Sequence, residues 1–162
     1  MKIKTTTIGA YPKPACTPIG DWFPDTEDED ARGADKGLLQ RWSITDYEEN
    51  MKKAGESSES DFLNAIQEVV DDQVKAGIDI PTDGEVRREN YIFYQCRRIK
   101  GIDFNTVTNT SARSGAYQAD LPTITGPVTL EKTMLGRDYS TAQKFCSNPV
   151  KITIPGPMTI ID

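Results

Sequence analysis

The sequence predicts an α/β fold in which helices feed parallel strands. Three observations carry this. An amphipathic helical pattern over residues 60–76 ends at Gly77 and runs straight into Ile78-Asp79-Ile80, so helix passes to strand through one glycine. Short runs at 3–8, 121–127 and 149–157 are rich in β-branched residues and border Gly- and Pro-containing turns. The strand at 78–80 leads to Asp83 and Glu85 around Gly84, with Arg87 and Arg88 directly after.

Taken in order, residues 3–8 form a first strand that enters Gly9-Ala10-Tyr11-Pro12-Lys13-Pro14. Gly9 either lets the backbone approach something closely or merely permits the turn. Residues 16–60 carry a mixed signal and form a loop and helix excursion after strand one. Within it, 26–30 is an acidic, solvated run, and 38–42 and 45–53 read as short helices. Thr45 stands at the N-cap of the second, with Glu48 three residues on.

In the helix at 60–76, Phe62, Leu63, Ile66, Val69, Val70 and Val74 recur at spacings of three and four. Ser60 caps its start, and Gly77 takes the left-handed position at its end. A further helix is expected over 89–99 and stopped by Gly101. Residues 105–118 form an irregular loop or a long hairpin. A third strand follows at 121–127, a short helix at 141–146 and a fourth strand at 149–157; both of these strands close on Gly-Pro.

The charge after Ile80 has two readings. One is a solvated strand-to-helix turn. The other is a substrate-binding edge at the C-terminal end of a strand, where α/β enzymes place their chemistry. Arg87 and Arg88 likewise either pair with Asp83, Glu85 or a substrate carboxylate, or stand solvated at a helix start. Tyr91 and Tyr94 either line the pocket or pack in the core, and their helical spacing favours packing.

Composition narrows the function. The 162 residues suffice for one domain with a real core, and they fall short of the roughly 250 of a complete eight-fold barrel. A net charge of −6 without a basic block argues against nucleic acid and anionic membranes as partners. No apolar run approaches the roughly 20 residues of a membrane span, and no signal peptide is visible. Cys16, Cys96 and Cys146 are odd in number and widely spaced, which points to a reducing, cytoplasmic setting. The absence of histidine excludes Ser-His-Asp and Cys-His catalysis, and imidazole-held zinc, within this chain.

Four motifs then occur in order: Thr5-Thr6-Thr7-Ile8-Gly9-Ala10-Tyr11-Pro12, Gln73-Val74-Lys75-Ala76-Gly77-Ile78-Asp79, Asp83-Gly84-Glu85-Val86-Arg87-Arg88-Glu89-Asn90-Tyr91 and Ile154-Pro155-Gly156-Pro157-Met158-Thr159. Together they resemble the catalytic barrel of cobalamin-independent methionine synthases and their methionine-synthase-II-like relatives. The resemblance implies a partial TIM (β/α)8 barrel, about the first four βα units, in a single domain over 1–162. It also implies zinc-dependent methyl transfer from methyl-tetrahydrofolate to the thiol of homocysteine; some relatives use other thiols such as coenzyme M.

Carried over residue by residue, the loop that binds homocysteine through backbone maps to Ile8, Gly9 and Ala10, with alanine where the family has serine. The glutamate that lies against the amino-acid substrate maps to Glu85. Asp83 stands where the family often has histidine. Asp83, Tyr11 and Arg87 are further pocket candidates, and Tyr11 with Trp22 could wall a pterin. The family's zinc ligands belong to the second half of the barrel. The chain is therefore expected to bind no metal itself and to be a fragment inactive alone. Its open sheet edges predict a homodimer or larger assembly. The alternative is a free-standing half-barrel that serves as a binding or assembly module.

Overall fold

A computed structural model describes residues 3–19, 46–55, 57–112, 117–131, 133 and 135–161. The readings made on 26–30, 38–42, Trp22 and the Thr45 cap lie outside the described residues.

Among the described residues two helices come first: α1 at Asp46–Ala54 and α2 at Ser57–Lys75. α2 forms because its apolar positions fall on one stripe: Phe62, Ala65, Ile66, Val69 and Val70 are all buried. Burying each of the larger members stabilises the fold by about 1.5–3 kcal/mol. Its first turn starts three residues earlier than the sequence suggests. Ser58, whose hydroxyl donates to Gly55 O at 2.7 Å, ties it down, and Ser60 lies within the helix. At the other end Gly77 has φ +81, Gly77 N–H donates to Val74 O and Ile78 N–H to Gln73 O. This pair of bonds around a left-handed glycine terminates the helix and turns the chain into Ile78.

The chain after Gly77 pairs in parallel on both sides. Ile80 pairs with Thr6 and Thr82 with Lys151, so segments near residues 6, 81 and 151 lie side by side in chain order. Ile80 N–H donates to Thr5 O at 3.0 Å, and Lys151 N–H donates to Pro81 O at 2.9 Å. Pro81 lacks an N–H and uses only its carbonyl, which suits this short pairing. Side chains complete it: Thr6 Oγ1 donates to Ile80 O at 2.7 Å, and Asp79 Oδ2 accepts from Thr5 N–H at 2.9 Å. Val86, Val150 and Ala142 join the α2 stripe to make the core.

The expected third parallel strand at 121–127 requires correction. It belongs to β2, Tyr117–Leu130, which runs antiparallel to β1, Ile99–Ala112. Of the two readings for 105–118, the long hairpin is the one observed. Its polar composition resembles a loop, yet the side chains pair across the strands: Thr108 with Thr123 at 2.9 Å and Asn109 Nδ2 with Asp120 Oδ1 at 2.8 Å. Gly101 does not stop a helix. It sits in β1 at φ +90 beside a register shift, and a side chain there would meet Pro127 O at 2.4 Å.

The helix expected over 89–99 shrinks to α3, Phe93–Cys96. Asn90 Oδ1 accepts from Ile92 N–H and Phe93 N–H at 2.8 and 3.2 Å, holding a turn where a helix could have continued. α4 spans Gly136–Gln143, earlier than the expected 141–146, and α5 spans Pro157–Ile161 with proline at its first position. No helix among the described residues is long and apolar enough to cross a membrane.

Candidate functional site

The ends of the three parallel segments converge on the Glu85 carboxylate. Their convergence is organised by Gln73 and Thr82, both fully buried. Gln73 closes both backbone groups of Thr82: its Oε1 accepts from Thr82 N–H at 2.9 Å, and its Nε2 donates to Thr82 O at 3.0 Å. Gln73 Oε1 also accepts from Thr7 Oγ1 at 2.8 Å. Thr82 Oγ1 donates to Gly9 O at 2.9 Å and accepts from Gly84 N–H at 3.2 Å. One helix amide and one threonine thereby fix the loops after the first two segments in register.

Beyond Thr82 the backbone turns sharply. Glu85 has φ +56, a left-handed conformation that a non-glycine residue adopts at a cost of about 1–3 kcal/mol. The turn is held by Glu85 N–H to Asp83 Oδ1 at 3.3 Å and Arg88 N–H to Glu85 O at 2.9 Å. The result aims the Glu85 side chain back across the segment ends. Its Oε1 accepts from Thr153 Oγ1 at 2.5 Å and lies 3.3 Å from Arg88 Nη1. A methyl group on Gly9 would come within 2.8 Å of both Glu85 Oε1 and Thr153 Cγ2. Of the two sequence readings of Gly9, close backbone approach is the one realised.

Arg88 is the cation of this cluster. Its side chain is 1% exposed, and its Nη2 lies 3.6 Å from Asp83 Oδ2. One guanidinium thus serves two carboxylates. Arg88 Nε and Nη2 are buried without a hydrogen-bond partner among the described residues. Ala10, Tyr11, Lys13, Glu85, Arg88 and Tyr91 line a depression over the cluster. Lys13 Nζ donates to Arg88 O at 2.8 Å, and Tyr11 N–H to Gly84 O at 3.1 Å. The Tyr11 hydroxyl bonds Asp72 on α2, which raises its pKa. The N–H groups of Gly9 and Ala10 have no hydrogen-bond partner among the described residues. Ile8 is 91% exposed.

Arg87 points elsewhere. It makes a two-pronged pair with Glu59 at 2.7 and 2.9 Å, and its guanidinium stacks on Phe62 at 4.9 Å. It joins the turn to α2 and stands apart from the depression. That pairing holds Glu59 down at about 2, mainly through the Arg87 bonds.

Asp83 behaves oppositely. Burial pushes it up to about 6 against the pull of Arg88. Its folded form therefore keeps the proton that the unfolded chain releases near 3.8. The sign follows: Asp83 contributes stability in acid that is lost as pH rises through about 6, while the Glu59 contribution is lost only as pH falls toward about 2. Between pH 4.5 and 6 stability is expected to fall by about 1–2 kcal/mol. Asp83→Asn should flatten that slope in urea titrations at successive pH values; an unchanged slope would assign it to another group.

The zinc implied by the resemblance does not fit these residues. Among the described residues no three His, Cys, Asp or Glu side chains converge. Cys16 is exposed, Cys146 accepts from Asn148 N–H, and burial pushes the Cys96 thiol up to about 11, against the thiolate a metal needs.

Sequence reasoning placed Gly9 and Glu85 together and missed Thr153, Gln73 and the burial of Arg88. The alternation Ile152-Thr153-Ile154 carried a signal for Thr153, because period two sends it to the face opposite both isoleucines.

Comparison with known proteins gives a consistent result. The family described as cobalamin-independent synthase, catalytic domain, matches residues 3–162. A methionine synthase of Saccharolobus solfataricus is 30% identical over 99% of this chain and 40% of its own length. A 5-methyltetrahydropteroyltriglutamate–homocysteine methyltransferase of Shewanella oneidensis is 29% identical over 98% of this chain and 18% of its own. The solved structure of a B12-independent methionine synthase from Shewanella sp. W3-18-1, in complex with selenomethionine, superposes with a TM-score of 0.71 at 30% identity, over 98% of this chain and 39% of that one. The chain spans about two fifths of the length of the archaeal relative.

Proposed function

Because the chain belongs to the family of cobalamin-independent synthase catalytic domains, we propose that its three parallel segments are strands of a partial (β/α)8 barrel and that Glu85 binds the ammonium of homocysteine. The observation that carries this is the strained Glu85 turn, which presents a carboxylate beside the Gly9–Thr153 contact. Oε1 is held by Thr153 and Arg88, and Oε2 accepts no hydrogen bond among the described residues. Glu85 lines the depression, and a carboxylate there is a charge-assisted acceptor for an ammonium. The N–H groups of Gly9 and Ala10 can face the substrate carboxylate, in keeping with backbone binding by Ile8, Gly9 and Ala10. The solved relative carries selenomethionine, an amino acid with the same two charged ends.

In the overall reaction the thiol gives up its proton, sulfur takes the methyl group, and the methyl-folate nitrogen keeps the electron pair and gains a proton. This chain's part is to bind and orient the amino-acid end. The sequence has no histidine, and no donor set for a metal converges among the described residues. NMR titration of the labelled chain with L-homocysteine tests the binding claim: the Gly9, Ala10 and Glu85 amides should shift together. Shifts confined to β1 and β2 would sink it.

Exposed apolar side chains flank the site. Ile8 and Ile154, 91% and 60% exposed, neighbour the contacting Gly9 and Thr153, and Met158 and Ile161 on α5 are exposed as well. Covering such a face favours association of copies. Light scattering of the cytoplasmic-type, reduced chain is expected to give a dimer or larger species at micromolar concentration; a stable monomer contradicts this.

A further inference from the structure

We propose that Thr153 is a positioning residue that selects which oxygen of Glu85 faces the substrate ammonium. The inference rests on reading Glu85 as the ammonium ligand. Arg88 can only donate, so at 3.3 Å from Arg88 Nη1 the Thr153 oxygen accepts, and its single proton goes to Glu85 Oε1 at 2.5 Å. Arg88 alone does not fix the carboxylate. It is shared with Asp83, and it meets Glu85 only as an ion pair, 3.3 Å from Oε1. A glutamate side chain has three rotatable bonds, and here the backbone beneath it is left-handed. Thr153 supplies the missing constraint from a different segment: its hydroxyl binds Oε1, and its methyl group and oxygen fill the space beside Gly9. Oε2 is then the oxygen left for the ligand, already oriented.

The arrangement joins three chain segments through one small side chain, so the loss of a hydroxyl should affect orientation more than folding. Thr153→Val keeps the shape and removes the donor. L-homocysteine should bind the 162-residue Thr153→Val chain about tenfold more weakly than wild type, as expected for one hydrogen bond to a charged group. Thr153→Ser should restore the affinity, and 4-mercaptobutyrate, which has the thiol and carboxylate without the amine, should bind all three alike. Crystal structures of both variants supply a readout that needs no ligand: the Glu85 carboxylate should leave its place in Thr153→Val and keep it in Thr153→Ser. Wild-type protein that fails to prefer homocysteine over 4-mercaptobutyrate overturns the ammonium role of Glu85, and the displaced carboxylate then still decides the positioning role. A Glu85 carboxylate unmoved in Thr153→Val, or a loss as large in the serine variant, overturns the proposal.

Discussion

Replacing Arg88 with methionine is expected to destabilise the chain by about 3–5 kcal/mol at pH 8, the largest effect of any single change at the site. The side chain is 1% exposed and stands between Asp83 and Glu85, so its removal leaves two carboxylates near one another without their cation. Methionine fills much of the volume, which confines the loss to electrostatics. The cost should shrink toward pH 5, where Asp83, already pushed up to about 6 by burial, takes a proton and removes one of the charges. Urea denaturation at both pH values measures this. A loss below about 1 kcal/mol at pH 8 would mean that the buried pairings contribute little net stability.

Glu85→Gln is expected to weaken L-homocysteine binding about ten- to a hundredfold, the range for a hydrogen bond to a charged group. Glutamine is close to isosteric and leaves the Thr153 contact available, so the change isolates the negative charge at the open oxygen. Stability should alter less than in the Arg88 variant, because Arg88 keeps Asp83 as a partner. Calorimetric titration reads the affinity, and equal binding by the two proteins would remove Glu85 from the ammonium role.

The sequence displayed those parts of the fold that local periodicity or a single residue type determines. The α2 stripe from Phe62 to Val70 repeats at helical spacing, and Gly77 marks its end without ambiguity. Gly9 and Glu85 were marked by the family motifs that hold them, while local chemistry left each open between a plain turn and a site. The burial of Arg88 was not legible. It depends on Thr153 arriving from a distant segment over the turn that holds Asp83 and Glu85, and arginine beside a turn is ordinarily solvated. The hairpin was hidden for another reason. Its strands carry Thr and Asn that satisfy one another across the ladder, so composition alone reads as loop, while the Leu121–Pro127 run reads as one more parallel strand. The left-handed turn at Glu85 gave no local sign either, because the glycine beside it seemed sufficient to make the turn.

The central claim is that this chain recognises the ammonium of an amino-acid thiol through Glu85. Calorimetric titration of the 162-residue chain with L-homocysteine and with 4-mercaptobutyrate tests it most directly, because the two ligands differ only in the amine. The account predicts at least about tenfold tighter binding of homocysteine, lost in Glu85→Gln. Equal affinity of the wild-type chain for the two ligands would contradict it.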